Sequence, residues 1–344
     1  MKSTFDIMSL VRENVKALSP YRSARDEFQG EAKISLDANE NPFDHQTLNR
    51  YPDPYQRKLK QKISALKGVE ESSIFLGNGS DEAIDLLIRA FCEPRRDSIL
   101  TFTPTYGMYQ ISADINAVET VKIPLKSDFQ IDLEKALKVN AKLTFICSPN
   151  NPTGNDIDTE AVETILRSSK GLVIVDEAYI DFSKRESWTK RLEEFPNLVV
   201  LQTFSKAYGL AAIRLGMAYA NEVVIEVLNK IKPPYNVNGL TQNFALEALD
   251  NKNAVNSEIE MILRERKEMA VALEKLSEVK NIYPSEANFL LIEIDRANEL
   301  YRHLAAKGIV VRDRSKQVED ALRITIGTPE ENKTLIENIK AFYA

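Results

Sequence analysis

A chain of 344 residues has room for about two domains with a cleft between them. Hydrophobic residues make up 43% and charged residues 28%, and 45 basic against 51 acidic side chains leave a net charge of −6, which argues against nucleic acid or a polybasic membrane role. The two cysteines and two histidines are isolated in sequence, so a disulfide framework, a metal site and a Ser-His-Asp hydrolase are not expected, and a reducing cytoplasm is the expected location.

The first residues, "MKSTFDIMSLVRENVKAL", are amphipathic and charged throughout, unlike a signal peptide. The longest apolar stretches, "KLTFICSP" and "GLVIVDEA", are strand-sized and too short to span a membrane. From about residue 73 to 220, β-rich runs alternate with helical patterns. The predicted strands are "SIFL", "SILTFT", "VETVKIP", "KLTFICS", "GLVIVDE", "NLVVLQT" and "LGMAYA". Between them, "SDEAIDLLIRAFCE" and "DTEAVETILRSS" carry apolar residues at helical spacing. Near-continuous apolar strands separated by helices predict an α/β fold with a mostly parallel sheet, here of seven strands, covered by helices. After about residue 221 a long charged helix, "NSEIEMILRERKEMAVALEKLSEV", leads to "ANFLLIEI", the helix "ANELYRHLAAKG", "IVVRD", "ALRITIG" and a last helix, which reads as a smaller α/β domain. The expected division is an N-terminal arm over 1–40 that belongs partly with the small domain, a large domain over 41–240 and a small domain over 241–344.

Ligands of such sheets bind beyond the carboxyl ends of the strands. The segments to inspect are therefore Gly77 to Asp81, Thr103 to Tyr106, Ser148 to Gly154, Asp176 to Tyr179 and Thr203 to Lys206. "GNGSDEAIDLL" runs from a strand through two glycines into a helix; it suits a phosphate on backbone amides, or a plain helix start. Asp176 ends the most hydrophobic strand, where a carboxylate needs a cation or strong donors, such as a protonated ring nitrogen, unless it merely caps the next helix. "SPNNPTGN" is a turn by composition whose amides could reach a ring oxygen, and Tyr106 could stack on a flat ring or fill the core. Lys206 follows an apolar strand and precedes Arg214 by eight residues. An amine able to form a Schiff base, a carboxylate for a pyridinium and a phosphate cup are what pyridoxal phosphate requires of a protein.

The markers "LSPYRSARDE", "LDANENPF", "RYPDPYQRKLKQKI", "GNGSDE", "SPNNPTG", "VDEAYIDF", "TFSKAYGLAAIRLG", "VVRD" and "LRITIGT" span nearly the whole chain. In this order they resemble the fold-type I pyridoxal-phosphate-dependent aminotransferases, and "PYRSAR" with "VDEAYIDF" favours the histidinol-phosphate branch. The resemblance implies reversible amino transfer between L-histidinol phosphate and 2-oxoglutarate, giving imidazole acetol phosphate and L-glutamate in histidine biosynthesis. It assigns Lys206 to the cofactor's aldehyde and to proton transfer between the substrate α-carbon and the cofactor's C4′. Asp176 would pair with the ring nitrogen, Tyr106 would stack on the ring, and Asn151 and Tyr179 would bond its oxygen. Amides near Gly79, Ser80 and Asp81, the hydroxyls of Thr203 or Ser205, and Arg214 would hold the cofactor phosphate. Tyr51 would reach that phosphate from a second subunit, so a homodimer is expected. Tyr21, Asn39, Arg312 and Arg323 would face the substrate, with Arg323 serving both half-reactions and Arg312 mainly the phosphate. Rival expectations are an aromatic amino-acid aminotransferase or a phospho-amino-acid decarboxylase on the same scaffold. A pyridoxal-phosphate-sensing regulator would need a DNA-binding module, for which the residues before "PYRSAR" are too few.

Overall fold

The computed structural model describes residues 5–20, 34–43 and 48–344. Its larger sheet contains β1 (Ile74–Asn78), β2 (Ser98–Thr103), β3 (Glu119–Pro124), β4 (Leu143–Cys147), β5 (Leu172–Asp176), β6 (Leu198–Thr203) and β7 (Leu215–Ala220), in the order β1-β7-β6-β5-β4-β2-β3. Strand β7 is antiparallel to both its neighbours and the other pairs are parallel, so β7 alone runs against the rest.

Every residue of β4, β5, β6 and β7 is buried. This is why their sequences are apolar runs without polar alternation: both faces are covered. The period of two survives in the packing. Leu172, Ile174, Val199 and Leu201 enter one core with Phe145, whereas Val173, Val175, Leu198 and Val200 enter the other with Ile146. Each such side chain, fully withdrawn from water, contributes about 1.5–3 kcal/mol. Helix Gly79–Phe91 covers the first face through Ala83, Ile84, Leu87, Ile88 and Phe91, spaced as one helical stripe, beside helices Met108–Ile115 and Glu222–Ile231. Leu59 and Ile63 of helix Arg57–Lys67, and Val162 and Ile165 of helix Thr159–Ser168, cover the second.

The second sheet is antiparallel, with the order β10-β11-β9-β8. Its strands are β8 (Val279–Ile282), β9 (Phe289–Ile294), β10 (Arg312–Asp313) and β11 (Ala321–Thr325). Its apolar face packs against helices Lys252–Glu274, Ala297–Ala306 and Pro329–Tyr343. Two elements differ from the sequence expectation. The long helix starts at Lys252 and ends at Glu274, and Val279, expected at its end, pairs with Ile294 to start β8. Strand β8 is short, polar and half-exposed, so its conformation is decided by hydrogen bonding to β9 and not by an apolar pattern of its own. Strand β10 keeps only two of the five residues of "IVVRD".

Among the described residues no helix is long and apolar enough to cross a membrane.

Candidate active site

The carboxyl ends of β1, β4, β5 and β6 open on one cavity of about 480 Å³. Strand register aligns them: Cys147 lies opposite Asp176, Asp176 opposite Leu201, and Thr203 opposite Gly216. Arg312, Arg314 and Arg323, brought in by the second sheet, line the same cavity.

Asp176 is 2% exposed, and its carboxylate holds two donors. Tyr109 Oη donates to Oδ2 at 2.5 Å and the Ala178 amide to Oδ1 at 3.1 Å. Burial lifts its pKa to about 6, against the lowering effect of those bonds. Tyr109 is itself fully enclosed, stacked on Phe145 at 4.8 Å and edge-on to Tyr106 at 5.6 Å. The adjacent Glu177 is buried too, and accepts from Ser187 Oγ, the Trp188 amide and Gln202 Nε2 at 2.5–2.9 Å. It thereby ties the end of β5 to β6 and to the segment 187–188.

Lys206 sits in the turn after β6, half-buried, with Nζ 5.6 Å from the centroid of the Tyr179 ring. Burial, and then the Arg323 charge, hold its pKa below the ordinary lysine value, against Asp176 and Asp81, which raise it. Such an amine sheds its proton more readily than a solvated lysine, as a nucleophilic lysine must.

Backbone proximity builds the cup beside it. The Gly79 amide donates to Arg214 O at 2.7 Å, while Gly79 and Arg214 both take left-handed backbone, at φ +72° and +53°. A Cβ on Gly216 would stand 2.1 Å from Ser80 N and 2.2 Å from Gly79 C, so only glycine lets β7 pass under the start of helix Gly79–Phe91. The Ser80 and Asp81 amides, in the first turn of that helix, lack intrahelical acceptors, and both residues line the cavity. Arg214 Nη2 lies 3.5 Å from Asp81 Oδ2, and Tyr106 Oη donates to Asp81 Oδ1 at 3.1 Å. Thr203 Oγ1 lies 3.0 Å from Ser205 Oγ and accepts from the Ser205 amide at 3.1 Å.

Asn151 Nδ2 donates to Tyr179 Oη at 3.5 Å, and Arg323 Nη1 donates to Asn151 Oδ1 at 2.5 Å. Burial pushes the Tyr179 phenol up and the Arg323 guanidinium down. The Nε atoms of Arg314 and Arg323 are buried without a hydrogen-bond partner.

One cavity therefore gathers Lys206, Asp176, Tyr179, Asn151 and Tyr106, the cup of Gly79, Ser80, Asp81, Thr203, Ser205 and Arg214, and the arginines Arg312 and Arg323. Asn39 and Tyr51 line a different cavity of about 700 Å³, with Tyr51 stacked on Tyr235 at 4.5 Å. Tyr21 lies outside the described residues. Three residues that shape the cavity escaped the sequence reading. Tyr109 and Arg314 had a signal, each being a repeat of a residue type two or three places after a named one; the role of Gly216 had none.

The sequence profile of the aminotransferase class I and II family matches residues 29–339. The histidinol-phosphate aminotransferase of Flavobacterium johnsoniae is 53% identical over 346 residues, covering 98% of this chain and 99% of that protein. That of Christiangramia forsetii is also 53% identical, covering 98% of each. Among solved structures, the histidinol-phosphate aminotransferase from Clostridium acetobutylicum superposes with a TM-score of 0.80 at 25% identity, covering 86% of this chain and 91% of that one. With its seven-stranded sheet, its strand-end lysine and the family profile over nine-tenths of its length, the chain belongs to the class I and II aminotransferases, on the fold-type I scaffold.

Proposed function

We propose that this aminotransferase moves an amino group between L-histidinol phosphate and 2-oxoglutarate, with pyridoxal phosphate as its cofactor. The observation that carries the reading is one cavity holding a desolvated lysine amine, a buried carboxylate and four arginines. Two features suit the cofactor, a buried acid lifted by desolvation and a backbone cradle closed to any Cβ, and the orphaned Nε donors of Arg314 and Arg323 suit an anionic substrate. The near-full-length relatives named histidinol-phosphate aminotransferase support histidinol phosphate as one of the substrates.

When bound, pyridoxal phosphate supplies an electrophilic aldehyde and a ring that withdraws negative charge from the substrate α-carbon. Lys206 would hold that aldehyde through its amine and, once displaced by the substrate's amino group, would move a proton between the α-carbon and C4′. Asp176, fixed by Tyr109 and the Ala178 amide, holds the proton on the ring nitrogen. Tyr106 covers a face of the ring, and Asn151 and Tyr179 orient its oxygen. The amides of Ser80 and Asp81, with Thr203, Ser205 and Arg214, would hold the phosphate beside Gly79, whose own amide is bonded to Arg214 O. Arg323 and Arg312 hold the substrate's anionic group at the far end.

The same reading makes the active unit a cytoplasmic homodimer, with domains over 41–240 and 241–344 and an arm over 1–40. Leu48, Tyr51 and Leu240 line the second cavity and are 54%, 51% and 52% exposed, an apolar surface that a second copy would cover. Tyr51 then completes the partner's site, and Asn39 faces the substrate. Mixing an inactive Lys206→Ala chain with a nearly inactive Tyr51→Phe chain should restore activity, because one site of each mixed dimer receives both native groups. No recovery after confirmed subunit exchange would count against a shared site.

The substrate reading is tested with a panel. Histidinol phosphate and 2-oxoglutarate should yield glutamate stoichiometrically. Carbon dioxide release from a phosphorylated amino acid, or turnover of phenylalanine or tyrosine but not histidinol phosphate, would replace it.

A further inference from the structure

Arg312, Arg314 and Arg323 stand together on the cavity wall, and Asp313 and Tyr179 only partly offset the effect of burial and mutual repulsion on Arg314. Arg312 lies directly across the antiparallel ladder from Arg323, and Arg314 follows two residues later, where extended backbone returns to the same side. None of the three makes an ion pair within 4.0 Å with a described carboxylate, and the nearby Asp313 is engaged with the Ser315 amide at 2.8 Å. Arg312 is exposed, but Arg314 is half-buried with its Nε enclosed and unbonded. Burial, then Arg323, then Arg312 hold the Arg314 guanidinium below its usual pKa. Three like charges kept close and partly dry oppose folding unless an anion visits them.

The two substrates differ in what they bring to this wall. A carboxylate has one charge and two oxygens, and one guanidinium fork engages both oxygens. A phosphate monoester carries nearly two charges and three acceptor oxygens. Arg323 already spends Nη1 on Asn151, which leaves it one face for an anion shared by both substrates. The third oxygen and the second charge of a phosphate give a third guanidinium an acceptor on the same group.

We propose that Arg314 is a specificity-determining residue: its guanidinium engages the phosphate monoester of the amino-alcohol substrate and stays idle toward glutamate. The proposal rests on the aminotransferase reading and assigns a selective function to the loop between Arg312 and Arg323.

The test is Arg314→Gln, with Arg314→Lys as the variant that keeps the charge. In single half-reactions of the cofactor-loaded enzyme, Arg314→Gln should lose about ten- to a hundredfold in kcat/KM for histidinol phosphate. It should stay within about twofold for glutamate and for unphosphorylated histidinol. Arg314→Lys should recover part of the loss. Melting of the loaded enzyme gives a second readout, with inorganic phosphate compared with acetate at equal ionic strength. Phosphate should raise the wild-type melting temperature more than the variant's, and without anion Arg314→Gln should melt no lower than wild type. Equal losses with glutamate, losses with histidinol, or an unchanged phosphate increment would overturn the proposal. If wild-type enzyme turns over glutamate but not histidinol phosphate, the substrate reading fails by itself, and the phosphate increment alone then decides whether Arg314 holds a phosphate.

Discussion

Lys206→Ala is expected to bring amino transfer down to background while the protein folds as before. The lysine is asked to do two things, to bind the cofactor's aldehyde and to relay a proton, and a positioned acid–base group alone is worth about 10²–10⁴-fold. A loss on the order of 10⁴-fold or more follows if one amine does both. Stability should move the other way. The folded-state pKa of Lys206 is lowered, so the charged ammonium is disfavoured in the fold at neutral pH, and that penalty disappears only as pH rises toward the unfolded lysine value. Removing the amine removes both its desolvation and its repulsion from Arg323, so the ligand-free variant should melt no lower than wild type near pH 7. Borohydride fixation followed by peptide mapping checks the chemistry directly. Cofactor fixed on any lysine other than Lys206 would overturn the assignment and with it the roles given to the surrounding residues.

The gathering of these residues in one cavity was legible from the sequence because they sit at the ends of strands that the sequence marks strongly. Strands β4, β5 and β6 are apolar runs, and the polar residues that stop them, Asp176 and Thr203 among them, are the ones that line the cavity. Tyr109 was not legible in this way. Its hydroxyl meets Asp176 only because helix Met108–Ile115 crosses the sheet, a contact between residues 67 apart. Gly216 is a similar case: nothing local explains it, and the reason is the passage of Ser80 and Gly79 over β7. Strand β8 was missed because a half-exposed edge strand has no hydrophobic period to read. Arg314 was overlooked because isolated arginines in polar loops are usually solvated, and only the fold gives it Arg312 and Arg323 as neighbours.

Asp176→Asn is expected to slow both half-reactions by roughly a hundred- to several-thousand-fold without weakening the ligand-free fold. Breaking a buried charge pair costs about 3–5 kcal/mol, which sets that range. The stability half of the prediction follows from the acid's own environment. Burial lifts the folded-state pKa from 3.8 to about 6, so between those values the folded chain binds the proton more tightly than the unfolded one. Ligand-free stability therefore falls as pH rises through that window and stays reduced above it, by roughly 3 kcal/mol at most. Asparagine abolishes the penalty and can keep both contacts, its Oδ1 accepting from the Ala178 amide and its Nδ2 donating to the Tyr109 hydroxyl, which accepts there. The ligand-free variant should thus melt at least as high as wild type at pH 7–8 and lose the decline between pH 4 and 6. With cofactor the order reverses, because a cation on the ring nitrogen offsets the penalty in wild type and has no partner in the variant. Melts with and without pyridoxal phosphate across this pH range, beside single-turnover rates, separate the two roles. A ligand-free Asp176→Asn chain that melts several degrees lower, with unchanged rates per folded molecule, would make Asp176 a structural turn residue and not the partner of the ring nitrogen.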